Sequence, residues 1–182
     1  MTEQPVAIED WRPPIVEMVV AKRDLAEWDP AGIFPNHLPE LAATEAAIRG
    51  AERSLALALD GEHRGFLGCA DGWRGFHQSV TLLSTNELVA GALRDSALEA
   101  FAYAPEALEA LGRPPESLLP VAASLEQADV FAMPIDAGVV GRRVHWLAEG
   151  EVVDTFESFG EYFMSMIQYT KRRTGKMRDG AG

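Results

Sequence analysis

The strongest structural signal in the sequence is an amphipathic helix close to its C-terminal end. Ser158 and Glu161 have the spacing of a capping box, which predicts that the helix begins there. The residues with apolar or small side chains on one wide face are Phe159, Tyr162, Phe163, Met166, Ile167 and Thr170. Such a face has to be buried against a second layer, so the rest of the chain must supply one.

That second layer is predicted to be a sheet. Strands are indicated at 118–122, 129–133, 142–147 and 152–156, with Glu149-Gly150-Glu151 as the turn of a hairpin. An earlier strand is indicated at 80–83, where the residues are apolar and β-branched. Short links between successive strands favour antiparallel pairing.

Helices are predicted in the first half of the chain, at 13–27, at 45–54 behind a Thr44 N-cap, and at 61–70. Ser84 and Glu87 form a second capping box, and the prolines after residue 104 divide the segment 94–116 into pieces. The fold class is therefore α+β, a single domain with a mainly antiparallel sheet packed against several helices and a C-terminal amphipathic helix. We divide it into an N-terminal helix and loop extension (1–37), the α+β domain (38–170) and a basic flexible tail (171–182).

The net charge of the chain indicates which classes of partner it can bind. The chain has a formal net charge of −12, and the last twelve residues carry a local +4, which leaves −16 on the first 170. Such a body repels phosphate backbones, so we expect no nucleic-acid binding, and it attracts basic proteins. Acidity also simply aids solubility, and that alternative stays open. No apolar run is long enough to span a membrane, the N-terminus lacks a signal peptide and there is one cysteine, so we expect a cytoplasmic protein that binds no membrane.

A catalytic or metal site is not indicated. The four histidines, His37, His63, His77 and His145, have no metal-ligand spacing, although His63 and His77 flank one turn and could approach each other. Cys69 sits among small residues and is predicted to be buried. Phosphate-binding loops and nucleophile elbows are missing, so we expect no enzyme activity, no cofactor and no metal.

The segment from Phe66 to Leu88 combines packing residues with a turn. Phe66 and Leu67 end a helix, Asp71 and Gly72 turn the chain, and Trp73 is set against the core. The next residues, 74–76, are predicted to loop outward before the strand at 80–83. Asp71, Gly72 and Trp73 are therefore interpreted as a structural turn.

The order of these motifs resembles the SUKH superfamily, also called the Smi/Knr type. The residues that carry the resemblance are the helix 45–52, Phe66-Leu67, Asp71-Gly72-Trp73, Leu83-Ser84 with Glu87-Leu88, and 157–163. It extends over about residues 38–168. This chain departs from the pattern at Asp71, where asparagine is usual, at Gly160 in the last motif, and at Leu59-Asp60 in place of Leu-Pro.

The resemblance implies a protein-binding module, and in bacteria an immunity-type protein that neutralises a toxin such as a nuclease by direct binding. Because nuclease surfaces are often basic, the contact face is expected to use acidic side chains. The candidates are Glu87, Asp95, Glu99, Glu106 and Glu109, which otherwise simply face water. A scaffold or regulatory protein of the same fold without a toxin partner is the alternative. A small hydrolase using His63 or His77 near Cys69, and nucleic-acid binding through residues 171–178, are weaker alternatives.

Overall fold

Seven strands form one antiparallel sheet in the computed structural model, which describes residues 7–180. In spatial order β1, β2, β3, β4, β6 and β7 are neighbours, and β5 pairs with the far end of β4. The strands are β1 (Trp73–His77), β2 (Val80–Leu82), β3 (Leu118–Ala123), β4 (Val130–Asp136), β5 (Val139–Val140), β6 (Val144–Ala148) and β7 (Glu151–Phe156). The predicted α+β class with an antiparallel sheet is confirmed.

Seven α-helices surround this sheet within the described residues. They are α1 (Arg12–Glu27), α2 (Glu45–Leu55), α3 (Gly61–Leu67), α4 (Thr85–Val89), α5 (Ala92–Ala102), α6 (Pro105–Leu111) and α7 (Phe159–Gly180), and a 3₁₀ turn covers Pro115–Ser117. The predicted N-cap of α2 is present, with Thr44 Oγ1 accepting the Ala47 N–H at 3.1 Å. The Ser84–Glu87 capping box of α4 is also present. Prolines begin α6 and the 3₁₀ turn, as expected for residues tolerated in a first helical turn.

The apolar face of α7 forms the centre of the core. All six of its predicted face residues are buried. Phe163 packs against rings from three other elements, at centroid distances of 5.2 Å to Trp11, 4.9 Å to Phe76 and 5.7 Å to Phe66. Tyr162 lies 4.7 Å from Phe131 in β4. This helix therefore joins α1, α3 and the sheet through one aromatic cluster.

The start of α7 is held by a buried carboxylate. Glu62 in α3 accepts the Gly160 N–H at 2.7 Å and the Ile8 N–H at 3.2 Å. A Cβ on Gly160 would lie 3.0 Å from both the Glu62 carboxylate and the Ile8 side chain. The glycine that departs from the SUKH pattern is thus the residue that lets the N-terminal segment and α3 approach the helix.

Two stretches differ from the expected secondary structure around β1. The prediction of an outward loop at 74–76 is wrong, because residues 73–77 form β1 and Phe76 is fully buried. Gly75 has φ of +54° and the register shifts along β1, so a bulge hides the alternation on which a strand prediction depends. The helix predicted at 61–70 ends at Leu67, and Cys69 beyond it is exposed rather than buried.

The C-terminal helix is longer than expected. The sequence places its end at Lys171–Arg173, whereas α7 continues to Gly180, so residues 171–180 of the predicted flexible tail are helical. Thr174 Oγ1 donates to the Thr170 carbonyl at 3.1 Å, and Lys171 Nζ contacts Glu17 of α1 at 2.6 Å. Residues 181 and 182 lie outside the described residues, as do the first six of the predicted extension. The described part of that extension supplies Trp11 and Met18 to the core.

Both faces of the central strands are covered. Every residue of β3 and the first five of β4 are buried, which requires a layer on each side of the sheet. The aromatic face of α7 covers one side, while α5 packs on β3 and α6 contacts β7. The helices α5 and α6, encoded between β2 and β3, thereby become an outer layer of the molecule.

Candidate protein-binding surface

The outer layer made by α5 and α6 presents acidic side chains. Ala97 and Phe101 anchor α5 in the core, and Ala107 anchors α6. Residues on the opposite sides of these helices point outward at helical spacing. Asp95 and Glu99 on α5, and Glu106 and Glu109 on α6, are all exposed.

The fifth predicted acid, Glu87, has a different environment. Its carboxylate accepts the Ser84 N–H at 2.9 Å and the Ser84 hydroxyl at 2.8 Å, and its side chain is only partly exposed. It lines two adjoining clefts of about 390 and 360 Å³ together with Arg74 and Thr81. Glu87 is thus committed to capping α4 and lies beside the α5–α6 layer instead of on it.

The acidic side chains between Glu87 and Asp129 are not neutralised by neighbours. Within residues 7–180, none of them has a lysine or arginine nitrogen within 4.0 Å. The two arginines of this stretch are engaged elsewhere, Arg94 with the Leu88 carbonyl at 2.6 Å and Arg113 with Asp136 at 2.9 Å. The charge of this layer therefore projects into solvent.

Sheet topology brings further acidic residues to the same region. The β1–β2, β3–β4 and β6–β7 connections lie at one end of the sheet, because consecutive strands are antiparallel neighbours. The β3–β4 loop contains Glu126 and Asp129, the β6–β7 turn contains Glu149, and Glu151 begins β7. Asp129, Glu149 and Glu151 line one open depression of about 630 Å³.

The helical layer and this end of the sheet are in direct contact. Ser96 Oγ in α5 donates to the Ser124 carbonyl at 3.1 Å, next to the β3–β4 loop. At the other end of α5, the Tyr103 carbonyl lies 3.7 Å from the position of a Cβ on Gly150 in the β6–β7 turn. The helices that carry acids thus pack against the end of the sheet that carries the other acids.

Large apolar side chains lie among these acids. Tyr103, at the corner between α5 and α6, is 77 % exposed, and Leu125 is 65 % exposed. Leu98 on α5 and Val153 on β7 are also exposed. We define the acidic surface as Asp95, Leu98, Glu99, Tyr103, Glu106, Glu109, Leu125, Glu126, Asp129, Glu149, Glu151 and Val153. Tyrosine is enriched among the residues that contribute most to protein–protein binding, and the rims of such interfaces are polar.

The histidines occupy separate places. His63 packs on Phe159 with ring centroids 4.7 Å apart, whereas His77 lies 6.1 Å from Tyr169. Ten residues of α7 separate these two contacts, roughly 15 Å along the helix, so His63 and His77 do not approach each other. His145 in β6 is buried, with Nδ1 3.0 Å from Thr155 Oγ1, and His37 is exposed. Because His63 is buried while Cys69 is exposed, they do not form a nucleophile and base facing one cleft.

Among residues 7–180 there is no group of three or more His, Cys, Asp or Glu side chains placed to hold a metal ion. The same part of the chain has no helix with the length and apolar character needed to cross a bilayer.

Burial of His63 makes the stability of the fold dependent on pH. Burial lowers the pKa of this imidazole from 6.5 to about 3, so the unfolded chain binds more protons than the folded chain between these values. The free energy of unfolding should therefore fall as the pH drops below about 6.5. Urea denaturation at pH 7.0 and 5.5 measures this fall in the free energy of unfolding. In His63→Gln the fall should be about 1 kcal/mol smaller than in the wild type.

His37→Gln is the matched control for this experiment, since it removes an exposed histidine. It should lose as much stability as the wild type over the same pH interval. An unchanged pH dependence in His63→Gln would show that His63 is protonated equally in the folded and unfolded states.

The acidic residues on α5 and α6 follow from sequence, but the position of Glu126, Asp129, Glu149 and Glu151 beside them does not, because only the sheet topology brings them there. The one local signal for Tyr103 is a bulky aromatic residue two positions before Pro105, between two predicted helical pieces. In comparisons with known proteins, the chain matches no protein-family model and no curated protein.

Proposed function

We propose that this chain is a non-catalytic protein-binding domain that docks a basic partner protein on the acidic surface. The observation that carries this proposal is Tyr103, which is 77 % exposed at the corner between α5 and α6, two helices whose exposed acids have no cationic partner within 4.0 Å among residues 7–180. Aromatic side chains supply contact area at small entropic cost, and surrounding charges steer a partner of opposite sign.

The partner that we propose is a toxin, which the bound domain would neutralise by covering its basic active-site surface. This part of the proposal rests on the resemblance to the SUKH superfamily. An unpaired acidic surface is suited to occupy a site that normally binds phosphates, because both present negative charge to the same cationic groups. A scaffold or regulatory protein of the same fold would use the same surface for a basic partner that is not a toxin.

Charge reversal tests the surface directly. The wild-type chain, immobilised at low salt, is used to capture proteins from its native host, and mass spectrometry identifies any basic protein retained. With that protein purified, the double variant Glu99→Lys/Glu106→Lys should bind at least about tenfold more weakly, mainly through slower association. The affinity of the double variant should also depend less on salt than that of the wild type.

A control of equal charge change separates local from global electrostatics. Glu9→Lys/Glu27→Lys reverses two exposed acids that lie outside the acidic surface. It should retain most of the wild-type affinity, while Tyr103→Ala should lose binding without a change in net charge. Equal losses in the two lysine pairs, with no loss in Tyr103→Ala, would contradict docking on the acidic surface. Toxicity of the purified partner, relieved by the wild-type chain, would distinguish the toxin hypothesis from the scaffold.

A further inference from the structure

A small cavity between α1, β1 and α7 is lined by three basic side chains. Lys22 comes from α1, His77 from the end of β1 and Arg173 from α7. The cavity has a volume of about 20 Å³ and is completed by Leu25, Phe34, Pro35, Phe76, Gln78 and Thr170. No carboxylate is among these lining residues, all of which are described. We call it the basic cavity.

Lys22 is a buried cation without a carboxylate partner. The residue is 5 % exposed, and its Nζ donates to the backbone carbonyls of Pro35 at 2.7 Å, of Phe76 at 3.5 Å and of Gly75. Within residues 7–180 it forms no ion pair. Asp29 is buried and close to Lys22 in the sequence, but it does not form an ion pair with Lys22. Its carboxylate accepts the Phe34 N–H at 2.6 Å. Burial lowers the pKa of Lys22 to about 8, which still leaves it mostly charged at pH 7.

Arg173 adds a second positive charge at the basic cavity, whereas His77 is uncharged there at pH 7. The Arg173 guanidinium lies 5.2 Å from the centre of the Phe34 ring, and it too has no carboxylate within 4.0 Å among the described residues. Burial, then the charge of Arg173, then that of Lys22 lower the pKa of His77 to about 4. The two cations therefore act on one enclosed space and are not neutralised there.

We propose that the basic cavity binds one small monovalent anion of the size of chloride. Its volume is somewhat more than the roughly 10–15 Å³ that holds a single water, so a monatomic ion fits and larger organic anions do not. An anion there would offset the cost of keeping the Lys22 charge away from water. The net charge of −16 on the first 170 residues disfavours anion binding at other places on that part of the chain. This inference does not depend on the proposed partner.

Thermal unfolding in matched salts tests the proposal. Sodium chloride and sodium gluconate are compared at equal ionic strength, so that general screening is the same in both. Chloride should raise the Tm by about 2–6 °C with a saturating dependence on concentration, and bromide should act alike, because a ligand that binds only the folded state stabilises it. Identical melting curves in chloride and gluconate would overturn the proposal.

Two neighbouring arginines provide a matched pair of variants. Arg172 and Arg173 are both exposed and both lie over an aromatic ring, Arg172 at 4.5 Å from Tyr169, but only Arg173 lines the cavity. Arg173→Gln should lose most of the chloride-specific Tm increase, whereas Arg172→Gln should keep it. An equal chloride-specific increase in both variants and in the wild type would place the anion elsewhere and overturn the assignment.

Discussion

Replacing Trp73 with alanine should lower the free energy of unfolding by about 3–5 kcal/mol, the range for deleting a large aromatic side chain from a core. Trp73 begins β1 and is 1 % exposed. Its ring packs 5.5 Å from Phe76 and 6.3 Å from Phe163, and its Nε1 donates to the His37 carbonyl at 2.8 Å. The alanine variant therefore loses ring packing and leaves a cavity between the sheet and α7.

Urea denaturation, followed by circular dichroism, measures this loss against two controls. Trp28→Ala removes a tryptophan that is 40 % exposed and should cost under about 1 kcal/mol. Trp73→Phe keeps most of the ring contacts but removes the donor to His37, so about 1 kcal/mol is expected from the hydrogen bond alone. Similar losses for Trp28→Ala and Trp73→Ala would mean that Trp73 is not the packing anchor described above.

The parts of the fold that follow from sequence are those with a complete local signal. The apolar face of α7 repeats at helical spacing over three turns, and the Ser84–Glu87 box reappears in the structure as the start of α4. The four strands predicted after residue 117 coincide with β3, β4, β6 and β7 to within a few residues. The fold class follows from the order of these elements.

The parts of the fold that do not follow from the sequence are those decided by contacts between residues far apart in the chain. β1 is interrupted by Gly75, so its pattern reads as a loop until pairing with β2 is known. Cys69 has the small apolar neighbours of a buried residue, yet α3 ends two residues earlier and leaves it exposed. In the part of α7 beyond its predicted end, Lys171 contacts Glu17, which is 154 residues away in the chain.

Some residues of the acidic surface also follow from the sequence, and others depend on contacts between distant parts of the chain. Four of the five acids proposed from sequence are exposed on α5 and α6, because charged residues at helical spacing opposite apolar anchors face solvent. Glu87 is drawn into a cap by Ser84, which is itself a readable pattern. Glu149 and Glu151 join the surface only through the antiparallel order of the strands.

The turn at Asp71 and Gly72 joins the helical half of the molecule to the sheet. The Asp71 carboxylate accepts the Thr85 N–H at 2.6 Å and the Thr85 hydroxyl at 2.9 Å, which ties the turn to the first residue of α4. The Gly72 carbonyl accepts the Glu40 N–H at 3.1 Å. Gly72 itself has φ of +91°, a conformation that residues with a side chain rarely adopt.

Gly72→Ala should therefore destabilise the fold by about 2–5 kcal/mol, from backbone strain together with overpacking. A Cβ at this position would lie 2.9 Å from the Leu82 carbonyl oxygen and 2.9 Å from the Ser84 nitrogen, both backbone atoms that cannot rotate away. Gly91→Ala separates the two causes, since Gly91 has φ of +129° but no heavy atom within 4 Å of the new Cβ. It should cost only the strain, about 1–3 kcal/mol in urea denaturation. If both variants lose the same free energy, the close approach of β2 and α4 to Gly72 contributes nothing to its requirement for glycine.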